Sequence, residues 1–239
     1  MRGVSSPRTA VVWAVLRAEL DRAGRPLTVL DVGGGTGGFA VPLATAGHRV
    51  TVIDASPDAL AALTRRAAEA GVADRVRAIQ GDGDALAELA APESADVVLC
   101  HSLLEVVDDP GTVVKSLAAV LHPGGVASVL VANRVAAVLG RAVTGHLDVA
   151  GALLADPDGT AGGRDTVRRR FDLDQAAALL GVAGLVVEQT HGVRVVADLL
   201  PGAVLEGQTD ALVDFELAVA GRSPYRDIAT QLHLFARRP

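Results

Sequence analysis

Short apolar runs that stop at a polar residue or a glycine alternate along this chain with stretches of helical period. Leu27 to Val32 is the first such run, and His48 to Ile53, Val76 to Gln80, Asp96 to Cys100 and Val126 to Ala132 repeat the pattern. Helices are expected between them. Gly38 to Ala46 follows the first run, and Ser56 followed by Pro57 predicts a capped helix to about Ala70, closed by Gly71. Ahead of the first run, Pro7 to Arg22 places Val11, Val12, Val15, Leu16 and Leu20 on one face and ends at Gly24 and Pro26. Strands alternating with helices predict an α/β fold with a parallel sheet covered on both faces.

Beyond Ala132 the rhythm loosens. Val135 to Val143 reads as a helix, whereas Thr144 to Arg170 is rich in Gly, Asp, Pro and Arg without a period, which predicts a functional loop or lid. Asp172 to Leu180 is expected to be a helix stopped by Gly181. Leu185 to Gln189 is expected as a strand, Asp210 to Val219 as a helix and Gln231 to Ala236 as a last strand. There is no internal repeat.

Composition adjusts this picture only at the edges. The 239 residues suit one enlarged domain, with an N-terminal helix at 7–22, a core at 27–132 and a substrate-side part at 133–239. Only 3% of residues are aromatic, so Ala, Val and Leu must fill the interior. The net charge of −6 supplies no global attraction for nucleic acid. Cys100 is the only cysteine, which excludes an internal disulfide and a cysteine-rich metal site; it reads as a buried strand residue or, less in keeping with its apolar run, as a reactive thiol. Thr9 to Leu16 is too short for a membrane span, which needs roughly 18 apolar residues, and charged residues follow it at once. A cytoplasmic protein is expected.

The chemistry concentrates at the carboxyl ends of the strands, where open α/β sheets bind their ligands. Val29 to Gly38 reads VLDVGGGTGG, with five glycines among six residues after the acid-tipped strand. Such a turn frees backbone N–H groups for a ligand. Gly33, Gly35 and Gly38 satisfy the dinucleotide pattern G-x-G-x-x-G, with Asp54 about twenty residues on, and an NAD-binding protein is one reading. Asp31 argues for another, because an anion in front of the glycines would repel a pyrophosphate. Asp31-x-Gly33-x-Gly35-x-Gly37 resembles motif I of the Rossmann-like S-adenosylmethionine-dependent methyltransferases, where the acid holds the ammonium of the cofactor. Three further marks follow in that family's order. Asp54 ends the second strand, where a carboxylate can accept ribose hydroxyls; Gly81-Asp82-Gly83-Asp84 matches the adenine-side loop; His122-Pro123-Gly124-Gly125 matches the turn before strand five.

The chain from His101 to Pro110, the HPGG turn, Asn133, Gly145 to Asp148, Gly192 to Val195 and Ser223 to Tyr225 together resemble the bacterial tRNA 5-carboxymethoxyuridine methyltransferases. That resemblance implies a mostly parallel seven-stranded sheet with helices on both faces, an antiparallel last strand and a lid-like insertion after strand five. It implies methyl transfer from S-adenosyl-L-methionine to a wobble-uridine carboxylate, leaving S-adenosyl-L-homocysteine, with no metal. Asp31, Gly33, Gly34, Gly35, Gly37, Asp54, Ala55, Asp82, Gly83, Asp84 and His101 fall on its cofactor side. A basic N-terminal cofactor contact of the family has Arg8 as its nearest counterpart, displaced by about a turn. Arg164 and the run Arg168 to Arg170 stand where the family is lysine-rich, as phosphate contacts or as a solvated face.

A carboxylate acceptor with a pKa near ~4 arrives ionised and needs no general base. It needs cations or amides to orient it, and Asn133, Arg134, Arg194, Tyr225 and Arg226 are the substrate-side candidates; helix capping and surface pairing are their ordinary alternatives. For a phenol or amine acceptor, His101 or Glu105 becomes the candidate base. The expected partners are a tRNA anticodon loop or a small-molecule acceptor, without a membrane, for a monomer or weak homodimer. A small-metabolite methyltransferase and a non-catalytic cofactor-binding protein are the competing functions.

Overall fold

Each predicted strand forms, and their order is β3-β2-β1-β4-β5-β7-β6 in one seven-stranded sheet, mostly parallel with its last strand antiparallel. The structure, a computed structural model, describes residues 6–160, 167–200 and 209–239. The strands are β1 Thr28–Val32, β2 Arg49–Asp54, β3 Val76–Gln80, β4 Ala95–His101, β5 Leu121–Ala132, β6 Val186–Val193 and β7 Gln231–Arg237. The helices are α1 Ala10–Ala23, α2 Ala40–Thr45, α3 Pro57–Glu69, α4 Leu86–Leu89, α5 Pro110–Val120, α6 Arg134–Val143, α7 Leu147–Ala155, α8 Leu173–Val182 and α9 Thr209–Val219. No helix among the described residues is long and apolar enough to cross a membrane.

The chain divides into two compact units. One comprises Ala23–Val129, Ala178–Glu188 and Phe235–Pro239 and contains the glycine turn; the other, the tail unit, comprises Met1–Arg22, Leu130–Ala177 and Gln189–Leu234. In the glycine-turn unit, β1 lies parallel to β2 with Thr28 opposite Arg49 and Val32 opposite Ile53, and parallel to β4 with Val32 opposite Cys100. Residues 29–32 are all buried, as a strand covered on both faces requires. The bond from Gly33 N to Ile53 O, at 2.8 Å, carries the pairing into the turn. Ser56 accepts from Ala59 N at 3.2 Å, and Leu60, Leu63 and Ala67 form the buried stripe of α3.

β6 runs past the expected Gln189 to Val193, α2 starts at Ala40 rather than Gly38, and four further departures from the sequence expectation have a local reason. Pro7 to Thr9 form a turn, with Thr9 N bonded to Ser6 O, so α1 begins at Ala10. The HPGG residues lie inside β5 rather than before it. There Gly124 N donates to Arg238 O and Arg238 N to Gly125 O, and this extra pairing lengthens the strand back to Leu121. Gly181 continues α8; Gly184, at φ 83°, makes the stop, with Leu185 N closing on Leu180 O. Finally, the segment expected to be irregular from Thr144 contains α7. Gly145 at φ 83° ends α6, and α7 then buries Ala150 and Leu153 while packing on α6. Its central Gly151 and few polar residues hid the helical period from a composition-based reading.

Candidate active site

The strand ends of the glycine-turn unit gather most of the expected cofactor-side residues. Asp31 is 3% exposed, and its Oδ2 is buried without a hydrogen-bond partner. A buried, unpaired acceptor is costly, so its presence asks for a donor from outside the protein. Gly34 lies directly on this carboxylate: a Cβ there would come within 2.6 Å of Asp31 Cγ and Oδ2. Only glycine lets the turn approach the acid so closely. Burial, with Asp54 adding like-charge repulsion, raises the Asp31 pKa to about 7.

Asp54 is tied to the same turn. Its Oδ2 accepts from Gly35 N at 2.8 Å and its Oδ1 from Ser56 N at 2.9 Å, which fixes the exposed Ala55 between them. Each oxygen keeps a further lone pair for an external hydroxyl. Gly37, at φ 78°, sits against Leu63, where a Cβ would lie 2.3 Å from Cδ1. Its role is to pack the turn on α3.

On the next loop, Asp82 is exposed and caps the short helix at residues 83–85 by accepting from Asp84 N. Asp84 accepts from Asp108 N at 3.2 Å through Oδ2, while its Oδ1 is buried and unpartnered. Leu103 joins this loop to the glycine turn, since Cβ atoms built on Gly33 and Gly83 would lie 3.3 Å and 3.0 Å from its side chain. Sequence reasoning passed over Leu103. The structure shows it next to Ser102, whose φ of 55° turns the chain sharply after β4, a feature the sequence does not display.

His101 ends β4. Its Nε2 lies 2.9 Å from Ser128 Oγ, and Phe39 meets its ring edge-on at a centroid distance of 4.7 Å. Burial lowers the imidazole pKa to about 4, against a smaller opposing effect of Ser128, so the ring is neutral near pH 7. Glu105 is 3% exposed. Cys100 is fully buried, and desolvation, followed by Glu105 and Asp31, pushes its thiol up; it is an inert strand residue.

In the tail unit the candidates divide. Asn133 is 2% exposed and spent on the backbone: its Nδ2 donates to Asp227 O and Ala229 O, and its Oδ1 accepts from Val135 N to cap α6. Arg134 holds Asp172 at 2.6 Å and also donates to Asp156 O. Arg226 pairs with Asp227 at 2.8 Å and donates to Thr190. Tyr225 is 46% exposed. Arg194, at φ 59°, keeps its Nε buried without a partner and approaches Asp198 at 3.6 Å, while Arg8 reaches the other oxygen of Asp198 at 3.3 Å. Of the late basic run, Arg170 donates to Gly159 O, and Arg164 lies outside the described residues.

The buried open acceptors fit the donors of S-adenosylmethionine. Asp31 Oδ2 suits an ammonium, Asp54 a diol and Asp84 Oδ1 an exocyclic amine, and an anion at Asp31 disfavours a pyrophosphate. Comparison with known proteins agrees. A family model described as a methyltransferase domain matches residues 29–125. The tRNA 5-carboxymethoxyuridine methyltransferase of Escherichia coli (strain K12) is 31% identical over 237 residues, which is 97% of this chain and 88% of that protein. The ubiquinone biosynthesis O-methyltransferase of Xylella fastidiosa (strain 9a5c) is 37% identical over 166 residues, 70% of this chain and 63% of that protein. Among solved structures, an S-adenosylmethionine-dependent methyltransferase from Mesorhizobium loti matches with a TM-score of 0.63 at 20% identity, covering 95% of this chain and 97% of that one.

Proposed function

The chain belongs to the S-adenosylmethionine-dependent methyltransferases, and from that premise we propose that it methylates a carboxylate, that of wobble 5-carboxymethoxyuridine in tRNA. The observation that carries this reading is the span of the likeness to the tRNA enzyme, 97% of the chain, tail unit included. The ubiquinone enzyme is more similar over a shorter stretch, 70% of the chain, and supports methyl transfer to oxygen without reaching as far.

Asp31, under Gly34, would hold the cofactor's ammonium, Asp54 would accept from its ribose, and Asp84 with the backbone at Gly83 would meet its base. When bound, the cofactor would supply an activated methyl on a sulfonium; its transfer to an ionised carboxylate leaves the bonding pair on sulfur and releases no proton. The protein therefore has to align and exclude water rather than remove a proton. His101 is consistent with this economy. With a pKa of about 4 it is a poor base for a phenol, and its place between Ser128 and Phe39 makes it a fixed wall residue. The tRNA anticodon loop is the partner this reading requires.

Mass spectrometry of wobble nucleosides from cells with and without the gene tests the proposal. Loss of the methyl ester and accumulation of the free acid in the deleted strain is the expected result. Unchanged ester, with loss of a methylated quinone precursor, would assign the chain to the other chemistry.

A further inference from the structure

Two loops of the glycine-turn unit meet one leucine, and each meets a different methyl group of it. A Cβ built on Gly33, in the glycine turn, would lie 3.3 Å from Leu103 Cδ1, and one built on Gly83, in the loop after β3, would lie 3.0 Å from Cδ2. Carbon atoms in ordinary contact stand roughly 3.5–4.0 Å apart, so a side chain at either point would push on Leu103. Gly33 is also at φ 74°, whereas Gly83 lies outside the left-handed region. At Gly83 the close approach of Leu103 is itself the steric demand for glycine.

The same short segment fixes the acid of the second loop. Asp108 N donates to Asp84 Oδ2 at 3.2 Å, and Asp84 Oδ1 is the oxygen left buried and open. Val106 N and Val107 N both close on Leu103 O, at 3.0 and 3.3 Å, so Leu103 and Asp108 belong to one turn. That turn begins at Ser102 with a φ of 55°, and such strain persists where the surroundings over-determine it. Val107, 4% exposed, also stands against Gly83, where a Cβ would lie 3.5 Å from its Cγ1. The turn after β4 therefore grips both the glycine turn, which lies on Asp31, and the loop that carries Asp84.

We propose that Leu103 is a positioning residue that couples the two ends of the cofactor site, holding the open oxygens of Asp31 and Asp84 in one fixed relation. The proposal rests on the placement of the cofactor given under Proposed function. Its physical content is preorganisation. A ligand with a donor at each end gains both hydrogen bonds together only when the two acceptors are already set relative to one another; otherwise the second contact must first order a loop. Leu103 offers a ligand no polar atom, so replacing it leaves each donor–acceptor pair chemically intact and removes only the link between them.

Calorimetric titration of the full-length protein with three ligands reads the two ends separately. The ligands are S-adenosylhomocysteine, its analogue lacking the α-amino group, and S-inosylhomocysteine, which has a carbonyl in place of the exocyclic amine. Wild type is expected to prefer S-adenosylhomocysteine over each analogue by about tenfold or more, the scale of a hydrogen bond to a buried carboxylate. Leu103→Ala should lower both preferences together, to about threefold or less, and Leu103→Met, which conserves volume, should restore them. Gly83→Ala alters only the loop after β3, yet it should lower the preference for the ammonium, and it should add nothing once Leu103 is alanine. Amide exchange of the ligand-free protein gives a readout without ligand: Leu103→Ala should speed exchange at Gly35 and Asp84 alike. If Leu103→Ala changes the preference at one end alone, or Gly83→Ala leaves the ammonium preference intact, the coupling is overturned while the cofactor placement stands. If wild type does not distinguish S-adenosylhomocysteine from either analogue, the placement falls and the coupling with it.

Discussion

The acids at the strand ends of the glycine-turn unit and two buried polar residues of the tail unit, Asn133 and Glu216, are treated in opposite ways. At the strand ends of the first, Asp31 Oδ2 and Asp84 Oδ1 are buried and left open. In the second, Asn133 and Glu216 are buried and saturated, each accepting or donating three backbone hydrogen bonds. A protein tolerates open polar atoms where a ligand completes them and saturates them where they hold the chain together. The difference separates an open set of acceptors at the strand ends from side chains that hold the tail together.

The sharpest way to break the comparison is to fill the cradle. Gly34→Ala places a methyl 2.6 Å from the Asp31 carboxylate and 2.9 Å from Val52, and should weaken S-adenosylhomocysteine binding more than 100-fold on a basis of roughly 3 kcal/mol, with little change in the tail unit's hydrogen-exchange protection. Calorimetry measures it. Binding within a few-fold of wild type would mean that the turn does not meet the ligand.

The next effect concerns charge. Asp31→Asn keeps the shape and removes the anion, so S-adenosylhomocysteine affinity should fall by roughly 10- to 100-fold while the melting temperature of the ligand-free protein at pH 8 rises. The sign follows from the raised pKa. Between the ordinary aspartate value near ~4 and the folded value of about 7, the folded state binds more protons than the unfolded one, so stability falls as pH rises through that window. The full effect is about 4 kcal/mol from the size of the shift. The cofactor's ammonium prefers the ionised acid, so affinity should drop as pH falls below about 7. Melting curves and titrations from pH 5 to 8 show both slopes in wild type and neither in Asp31→Asn.

In the tail unit the largest loss should be of stability. Asn133→Ala removes a helix cap and leaves the carbonyls of Asp227 and Ala229 short of a donor, which should cost about 2–4 kcal/mol in chemical denaturation. The preference of the remaining folded protein for 5-carboxymethoxyuridine over its methyl ester should persist. Loss of that preference without loss of stability would return Asn133 to the acceptor site. The smallest effect is expected at Ser128→Ala, a few-fold loss of kcat/KM from a less fixed His101. An NMR titration should meanwhile show no protonation of His101 between pH 5 and 8.

The same contrast explains how far the sequence could be read. The strands and the cradle were legible because their determinants are local: an acid two residues before the first glycine, an acid at the end of β2, a Gly-Asp pair after β3. Leu103 was not, because its importance lies in touching both Gly33 and Gly83, which are far apart in the chain. In the tail, Asn133 and Arg226 looked like acceptor ligands because sequence shows a polar side chain and not its partner. Asn133 caps its own helix and reaches carbonyls nearly a hundred residues away. Arg194 could be picked out as a basic residue, but its left-handed backbone and the buried Glu216 that supports it are visible only in three dimensions.

The most direct test of the account is methyl transfer by the purified protein from labelled S-adenosylmethionine, with tRNA carrying 5-carboxymethoxyuridine set against a phenolic quinone precursor. The account predicts label in a base-labile ester at the wobble position, at a rate that does not depend on a group titrating near pH 6 to 8 other than Asp31. Label in the phenolic ether, with none in the tRNA, would contradict it.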